Sequence, residues 1–184
     1  HSRPGDRVFV PGARWSGGLR GLFGGAASRL VADESRIVPA PEPLAEDAVL
    51  FALAATAHHA VDLGDGAALP DLIVGHGVLG RLLARLTIAL GGAPPTVWET
   101  DPQRAQGAAG YAVTTADEDS RSDYARIVDV SGDAAILDLL MQRLKRGGDI
   151  VLAGFYSRRL SFTFPPAFMR EATIRVAAEW TPRD

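Results

Sequence analysis

From residue 71 onward the chain alternates between short, largely apolar runs and longer stretches in which apolar residues recur every three or four positions. The first pattern predicts strands over 72–74, 96–99, 111–114, 126–130, 149–153 and 173–178. The second predicts helices over 78–90, 102–109 and 133–145, with Pro102 at a helix start and Gly147-Gly148 closing the helix before them. Runs with no polar alternation belong to strands covered on both faces, and such strands form parallel sheets. Six of them interleaved with helices predict an α/β fold with a doubly wound, six-stranded parallel sheet.

The leading third reads differently. Arg7-Val8-Phe9-Val10, Trp15 to Gly25 and Ala26 to Val31 are short apolar stretches broken by glycines, a β pattern with turns. Pro39, Pro41 and Pro43 form a stiff extended connector, because proline fixes φ and disfavours helix before it. A helix with alanine-rich faces follows over 44–62. We place a domain boundary there, with 1–62 as part of a β domain plus connecting helix and 63–184 as the parallel-sheet domain. The chain is expected to be incomplete at both ends, since it starts without Met and stops soon after a strand pattern.

One motif carries chemistry. Gly75, Gly77 and Gly80 spell G-x-G-x-x-G, with His76, Val78 and Leu79 between them, after a predicted strand and at the head of a predicted helix. The first glycine permits a tight turn, the second lets backbone approach a pyrophosphate, and the third lets helix pack on strand. The helix N-terminus presents N–H groups and the positive end of its dipole to phosphates. A second strand ends on Glu99, 24 residues after Gly75. A carboxylate there accepts hydrogen bonds from ribose hydroxyls and repels a 2′-phosphate, so the expected cofactor is NAD. Ser131 and Gly154-Phe155-Tyr156 follow the fourth and fifth predicted strands. Ligands of such sheets sit at the carboxyl ends of strands, so these are candidate nicotinamide-side contacts.

Composition narrows the classes further. A net charge of −3 with no basic stripe argues against nucleic acid, and Arg143 to Arg146 and Arg158-Arg159 read as solvated surface. No apolar run is long enough to span a membrane as a helix. The absence of cysteine excludes disulfides and thiolate metal sites in this segment, in keeping with a cytoplasmic setting.

The chain resembles the medium-chain dehydrogenase/reductase family, in which a GroES-like β domain precedes a Rossmann nucleotide domain. The resemblance runs through Pro4-Gly5-Asp6-Arg7-Val8, Gly24-Gly25-Ala26-Ala27, Ala55-Thr56-Ala57 and Val128-Asp129-Val130-Ser131-Gly132, then from Leu144 to Gly154. A narrower branch, the dehydrogenases that act late in bacteriochlorophyll synthesis, is matched by Gly75 to Thr87, Val97-Trp98-Glu99-Thr100 and Gly107 to Tyr111. It is also matched by Gly154-Phe155-Tyr156, Phe162 to Met169 and Ala177-Ala178-Glu179-Trp180. That branch implies NAD-dependent oxidation of the 3-(1-hydroxyethyl) group of a bacteriochlorophyllide to 3-acetyl.

The resemblance also implies roles for single residues. Thr56 falls where the family's helix meets the nicotinamide, with an intrahelical bond as the plainer explanation. His59 follows the family's Thr-Ala-x-His-Ala pattern and becomes the proton-acceptor candidate, ahead of His58, His76 and His1. An ordinary, hydrogen-bonded helix histidine is the competing explanation. Many members bind a catalytic zinc through a ligand at the position of Ala52, which has no coordinating atom, so no metal is expected. Phe162, Phe164, Phe168 and Met169 cluster among prolines, as core, as a subunit contact in a homodimer, or as a surface for a flat macrocycle. Phe168, Arg158 and Arg159 are the substrate candidates. Two other readings stay open: a zinc-free quinone or enone reductase of the same fold, and a non-catalytic NAD-binding module.

Overall fold

The computed structural model describes residues 4–10, 28, 29, 31–62, 66, 68–178, 180, 181 and 184. The β pattern expected over 15–27, the Gly24-to-Ala27 motif, His1 and Glu179 lie outside the described residues. The chain divides into two units, His1–Ala52 and Leu53–Asp184.

In the first unit β1 (Val8–Phe9) and β2 (Val38–Pro39) pair antiparallel, and Phe9 stands edge-on to Phe51 with ring centroids 5.7 Å apart. The stretch predicted as one helix opens as a 3-10 run, Glu42–Leu50, and becomes α-helical only at α1 (Phe51–Val61). Pro43 sits at the head of the 3-10 run, where the missing N–H has no intrahelical acceptor to lose.

The second unit continues through β3 (Leu72–Val74), α2 (Val78–Ala89), β4 (Thr96–Trp98), β5 (Ala112–Thr114) and β6 (Tyr124–Asp129). It ends with α3 (Leu137–Arg143), β7 (Leu144–Leu152), α4 (Phe164–Arg170) and β8 (Thr173–Val176). The six strands β3 to β8 are all parallel and lie in the order β5-β4-β3-β6-β7-β8. The chain builds outward from β3 in one direction, then returns to β6 and builds outward in the other. Beyond the carboxyl ends of β3 and β6 the connections therefore diverge and open a crevice.

Side chains alternate across the sheet and bury both faces. Ile73, Val97, Val128 and Val151 meet Ala57, Ala60 and Val61 of α1 and Leu83 and Ala84 of α2. On the opposite face Leu72, Val74, Ile127, Ile150 and Leu152 meet Leu137, Leu140 and Met141 of α3 and Ala167 of α4. At the end where the strands begin, Arg126, 2% exposed, lies 3.5 Å from Asp149, which is 3.3 Å from Arg175. These charges are neighbours because β6, β7 and β8 are adjacent in register. No helix among the described residues is long and apolar enough to cross a membrane.

Two further expectations need correction. Residues 102–109 form a turn and an irregular segment rather than a helix. Only Ala105 makes a helix-like bond, to Asp101 O, before Gly107 and Gly110 adopt positive φ of 76° and 83°. The helix predicted over 133–145 is confined to α3, and Gly147-Gly148 fall within β7 rather than between helix and strand. Of the aromatic cluster among prolines, Phe164, Phe168 and Met169 lie in a helix, α4, whose two prolines occupy its first turn.

Candidate functional site

The three glycines of the G-x-G-x-x-G motif take three different positions. Gly75 ends β3 with φ 102°, and a Cβ there would lie 3.1 Å from the backbone of Ser131, so the turn passes tightly beside the end of β6. Gly80, in the first turn of α2, faces that turn: a Cβ would lie 1.9 Å from the Gly75 carbonyl oxygen. Gly77 caps α2, and a Cβ on it would meet nothing within 4 Å. The helix starts there, its first bond running from Arg81 N–H to the Gly77 carbonyl at 3.0 Å. The earlier N–H groups of α2 therefore lack intrahelical acceptors, beside the open space at Gly77. That is the cradle a dinucleotide's pyrophosphate requires, and the residues fit one. Val78 is exposed and Leu79 half-buried beside it.

Glu99 follows β4 and turns its carboxylate back onto this loop. Oε2 accepts the His76 N–H at 2.9 Å, and Oε1 accepts the N–H groups of Thr100 at 2.8 Å and Asp101 at 2.9 Å. Partial burial acts to raise its pKa, but the N–H groups of Asp101, His76 and Thr100 outweigh it and hold the group below the ordinary range. Glu99 is thus an anion throughout neutral pH.

Across the crevice, the ends of β6 and β7 are tied by a buried acid. Asp129 is fully buried, its Oδ1 accepting the Ser131 N–H at 2.9 Å and its Oδ2 the Tyr156 hydroxyl at 2.7 Å. Desolvation raises the Asp129 pKa against the hydrogen bonds from Ser131 and Tyr156. Burial and the neighbouring carboxylate push the Tyr156 phenol up, so it remains the donor. Gly154 is needed here, since a Cβ would come within 3.2 Å of the Tyr156 hydroxyl and of Gly132 N.

The raised Asp129 pKa has a consequence for stability. The folded chain binds this proton more tightly than the unfolded chain, so stability falls as pH rises from the ordinary carboxylate range through the raised value. Asp129→Asn should remove that decline. In urea titrations between pH 4 and 8, the variant's stability relative to the parent should improve with rising pH; a pH-independent difference would contradict the assignment.

No protein-family model matches the chain. It is 56% identical to the 2-desacetyl-2-hydroxyethyl bacteriochlorophyllide A dehydrogenase of Rhodobacter capsulatus over 183 residues, covering 99% of the chain and 58% of the relative. The enzyme of the same name from Cereibacter sphaeroides is 56% identical over 187 residues, with the same two coverages. The chain is a relative of these dehydrogenases. It spans somewhat more than half of their length. Among solved structures, acetophenone reductase from Geotrichum candidum, in complex with NAD, superposes with a TM-score of 0.65 at 23% identity, over 81% of this chain and 45% of that one. The chain shares with part of that structure the α/β fold of a parallel sheet interleaved with helices, as the strand and helix pattern predicts.

Within this fold the predicted residues separate into groups. Gly75, Gly77, Gly80 and Glu99 come together at the loop. Ser131, Gly154 and Tyr156 gather around Asp129, with Phe155 beside them and 98% exposed. Arg158 and Arg159 are exposed on the segment after β7, at the same end of the sheet. Phe168 lies elsewhere. It is near the C-terminal end of α4, in a groove lined also by Phe164, Met169, Arg146 and Glu171, toward the end where β7 and β8 begin. The His76 ring does not turn toward the head of α2. It is fully buried, with Nδ1 2.6 Å from the Arg104 carbonyl and Nε2 2.7 Å from the Tyr111 hydroxyl. Burial lowers its pKa despite the Arg104 bond, so the ring is neutral. Only Nδ1–H satisfies the carbonyl, and Nε2 therefore accepts from Tyr111.

His58 and His59 share one partner that sequence reasoning missed. Asp184 Oδ1 lies 3.3 Å from Nδ1 of His58, and Oδ2 lies 3.1 Å from Nδ1 of His59. Asp184 also accepts the N–H and hydroxyl of Thr181. Partial burial acts to raise its pKa, while Thr181 and the two rings bring it below the ordinary range. Thr56 lies one turn earlier on α1, half-buried. No group of three His, Asp or Glu side chains able to hold a metal ion forms among the described residues. Asp129, Asp184, Tyr111 and Arg81 are the polar groups that periodicity and motif spacing passed over.

Proposed function

We propose that the protein carrying this chain is an NAD-dependent oxidoreductase. It oxidises the 3-(1-hydroxyethyl) group of a bacteriochlorophyllide to 3-acetyl, a step in making bacteriochlorophyll a. Identity of 56% along 99% of the chain with dehydrogenases named for that substrate carries the reading. The glycine loop at the crevice, with an ionised Glu99 beside it, supports the cofactor class.

A bound nicotinamide would supply the acceptor for the hydride of the carbinol carbon. The chain must hold the dinucleotide and receive the hydroxyl proton. Gly77 and the first N–H groups of α2 hold the pyrophosphate, and Glu99 holds the adenosine ribose. Ser131, Gly154 and Phe155 line the nicotinamide end. His59 is the proton acceptor in this reading. Asp184 bound to Nδ1 fixes the proton there and leaves the Nε2 lone pair to accept, the arrangement in which a carboxylate orients an imidazole base. Ala52 and the absence of cysteine fit proton removal without a zinc ion in this segment.

The test is turnover by the full-length, chelator-treated protein. With a 3-(1-hydroxyethyl)-bacteriochlorophyllide and NAD, NADH should form while the macrocycle's absorption shifts as the new carbonyl conjugates. Small secondary alcohols should be poor substrates, because they forgo the macrocycle's binding energy. Rapid turnover of small alcohols with no tetrapyrrole spectral change would replace the reading with a general alcohol dehydrogenase. NADPH-driven enone reduction would replace it with the quinone reductase alternative. NAD binding without any turnover would leave a binding module.

A further inference from the structure

The segment from Asp101 to Tyr111 has no regular structure to hold it, yet it is pinned along its length by side chains of the glycine loop and α2. Its first residue donates its N–H to Glu99. In its middle, the Arg104 carbonyl accepts from two sources: Nδ1–H of His76 at 2.6 Å and Nη2 of Arg81 at 2.8 Å. Arg81 Nη2 also reaches the Gln106 carbonyl at 2.6 Å, Nη1 the Gly107 carbonyl at 3.3 Å, and Nε the His76 carbonyl at 3.2 Å. The guanidinium lies so close that a Cβ on Gly107 would be 2.8 Å from Nη1. At the end of the segment, Tyr111 donates its hydroxyl to His76 Nε2 and stands edge-on to the ring at 5.5 Å.

One planar fork and one imidazole thus satisfy the carbonyls that a helix would have satisfied itself. Both come from the G-x-G-x-x-G turn and the first turn of α2. The segment they hold begins directly after Glu99, where an adenosine ribose would be read.

We infer that His76 and Arg81 are positioning residues for the adenosine half of the dinucleotide, clamping the Asp101–Tyr111 segment beside Glu99 in its binding form. The inference rests on the dinucleotide reading above. A clamped segment has no ordering cost left to meet on binding. Releasing it should weaken affinity by about tenfold or more, because part of the binding energy then goes into reordering.

The experiment measures ADP-ribose affinity by calorimetry, and NAD kinetics, in the full-length parent and in Arg81→Met, Arg81→Lys and Tyr111→Phe. Arg81→Met should weaken ADP-ribose and raise KM for NAD about tenfold, with kcat at saturation within about twofold of the parent. Arg81→Lys, which keeps the charge but replaces the planar fork with a single ammonium, should recover part of the loss. Tyr111→Phe changes no charge and keeps the ring, so weakening there cannot come from lost attraction to phosphate. Amide exchange over 101–111 should quicken in the variants that bind weakly. Unchanged ADP-ribose affinity in both Arg81→Met and Tyr111→Phe would overturn the clamp, as would a fall in kcat with KM unchanged. A parent that binds no ADP-ribose would instead overturn the dinucleotide reading, and the clamp with it.

Discussion

Gly80→Ala should abolish dinucleotide binding and destabilise the sheet domain, while Gly77→Ala should harm binding alone. The two glycines are three residues apart in one motif, but their surroundings differ. A Cβ on Gly80 would sit 1.9 Å from the Gly75 carbonyl oxygen, a backbone atom that cannot rotate aside. The first turn of α2 would have to lift off the end of β3, drawing Leu83 and Ala84 from their contacts with Ile73 and Val97. Overpacking of this kind costs about 1–3 kcal/mol, occasionally more. The displaced helix start would also no longer aim its N–H groups at a pyrophosphate. A Cβ on Gly77 meets nothing, and its φ of −72° suits any residue, so Gly77→Ala should fold with little loss. It should nonetheless place a methyl where the backbone must touch phosphate. Urea midpoints and ADP-ribose calorimetry on the two full-length variants separate the effects. A Gly80→Ala protein with parental stability and affinity would refute the packing argument. A Gly77→Ala protein with parental affinity would refute the placement of the pyrophosphate.

The contrast explains how much of this molecule was legible beforehand. Strands such as Leu72-Ile73-Val74 announce themselves because burial on both faces leaves no polar position, and the glycine motif because its three residues answer three steric demands. The sheet and its crevice follow from those two signals. The segment 102–109 misled because Pro102 and the alanines after it resemble a helix start. What decides its shape is Arg81, a residue more than twenty positions earlier, whose fork takes the carbonyls. Arg143 was read as solvated surface for a similar reason. In the structure its guanidinium donates to the carbonyls of Ala116, Asp119 and Arg121 and lies over the Trp98 ring at 5.6 Å. Helix α4 was hidden by its two prolines, which are harmless only in a first turn, and a first turn is not visible without its partner elements. Asp129 and Asp184 are single carboxylates without a motif. Their importance is a matter of what reaches them, Tyr156 and Ser131 in one case and two histidines in the other.

Replacing Glu99 should reverse the choice between NAD and NADP, the largest change in specificity expected from any single side chain here. The carboxylate offers about four acceptor sites. Oε1 already takes two N–H groups and Oε2 one, so Oε2 is the oxygen with capacity left for a ribose hydroxyl. A hydrogen bond to a charged group is worth about 1.5–3 kcal/mol, so losing it should weaken NAD by about 10- to 100-fold. Removing the charge acts in the opposite direction on NADP. Two unit negative charges about 4 Å apart near a protein surface repel by about 4 kcal/mol, close to three factors of ten. Because its N–H partners hold Glu99 below the ordinary carboxylate range, the repulsion operates across neutral pH and fades only in acid. Glu99→Ser also frees the N–H groups of His76, Thr100 and Asp101, so absolute affinities carry a loop penalty common to both cofactors. The ratio of kcat/KM for the two cofactors cancels it and is the quantity to measure. That ratio combines the two effects and should swing toward NADP by about 10⁴-fold or more in Glu99→Ser. Glu99→Gln should follow in the same direction, since it removes the charge while keeping most of the shape. A parent protein that already prefers NADP, or a ratio that does not move in either variant, would remove Glu99 from the specificity of this site.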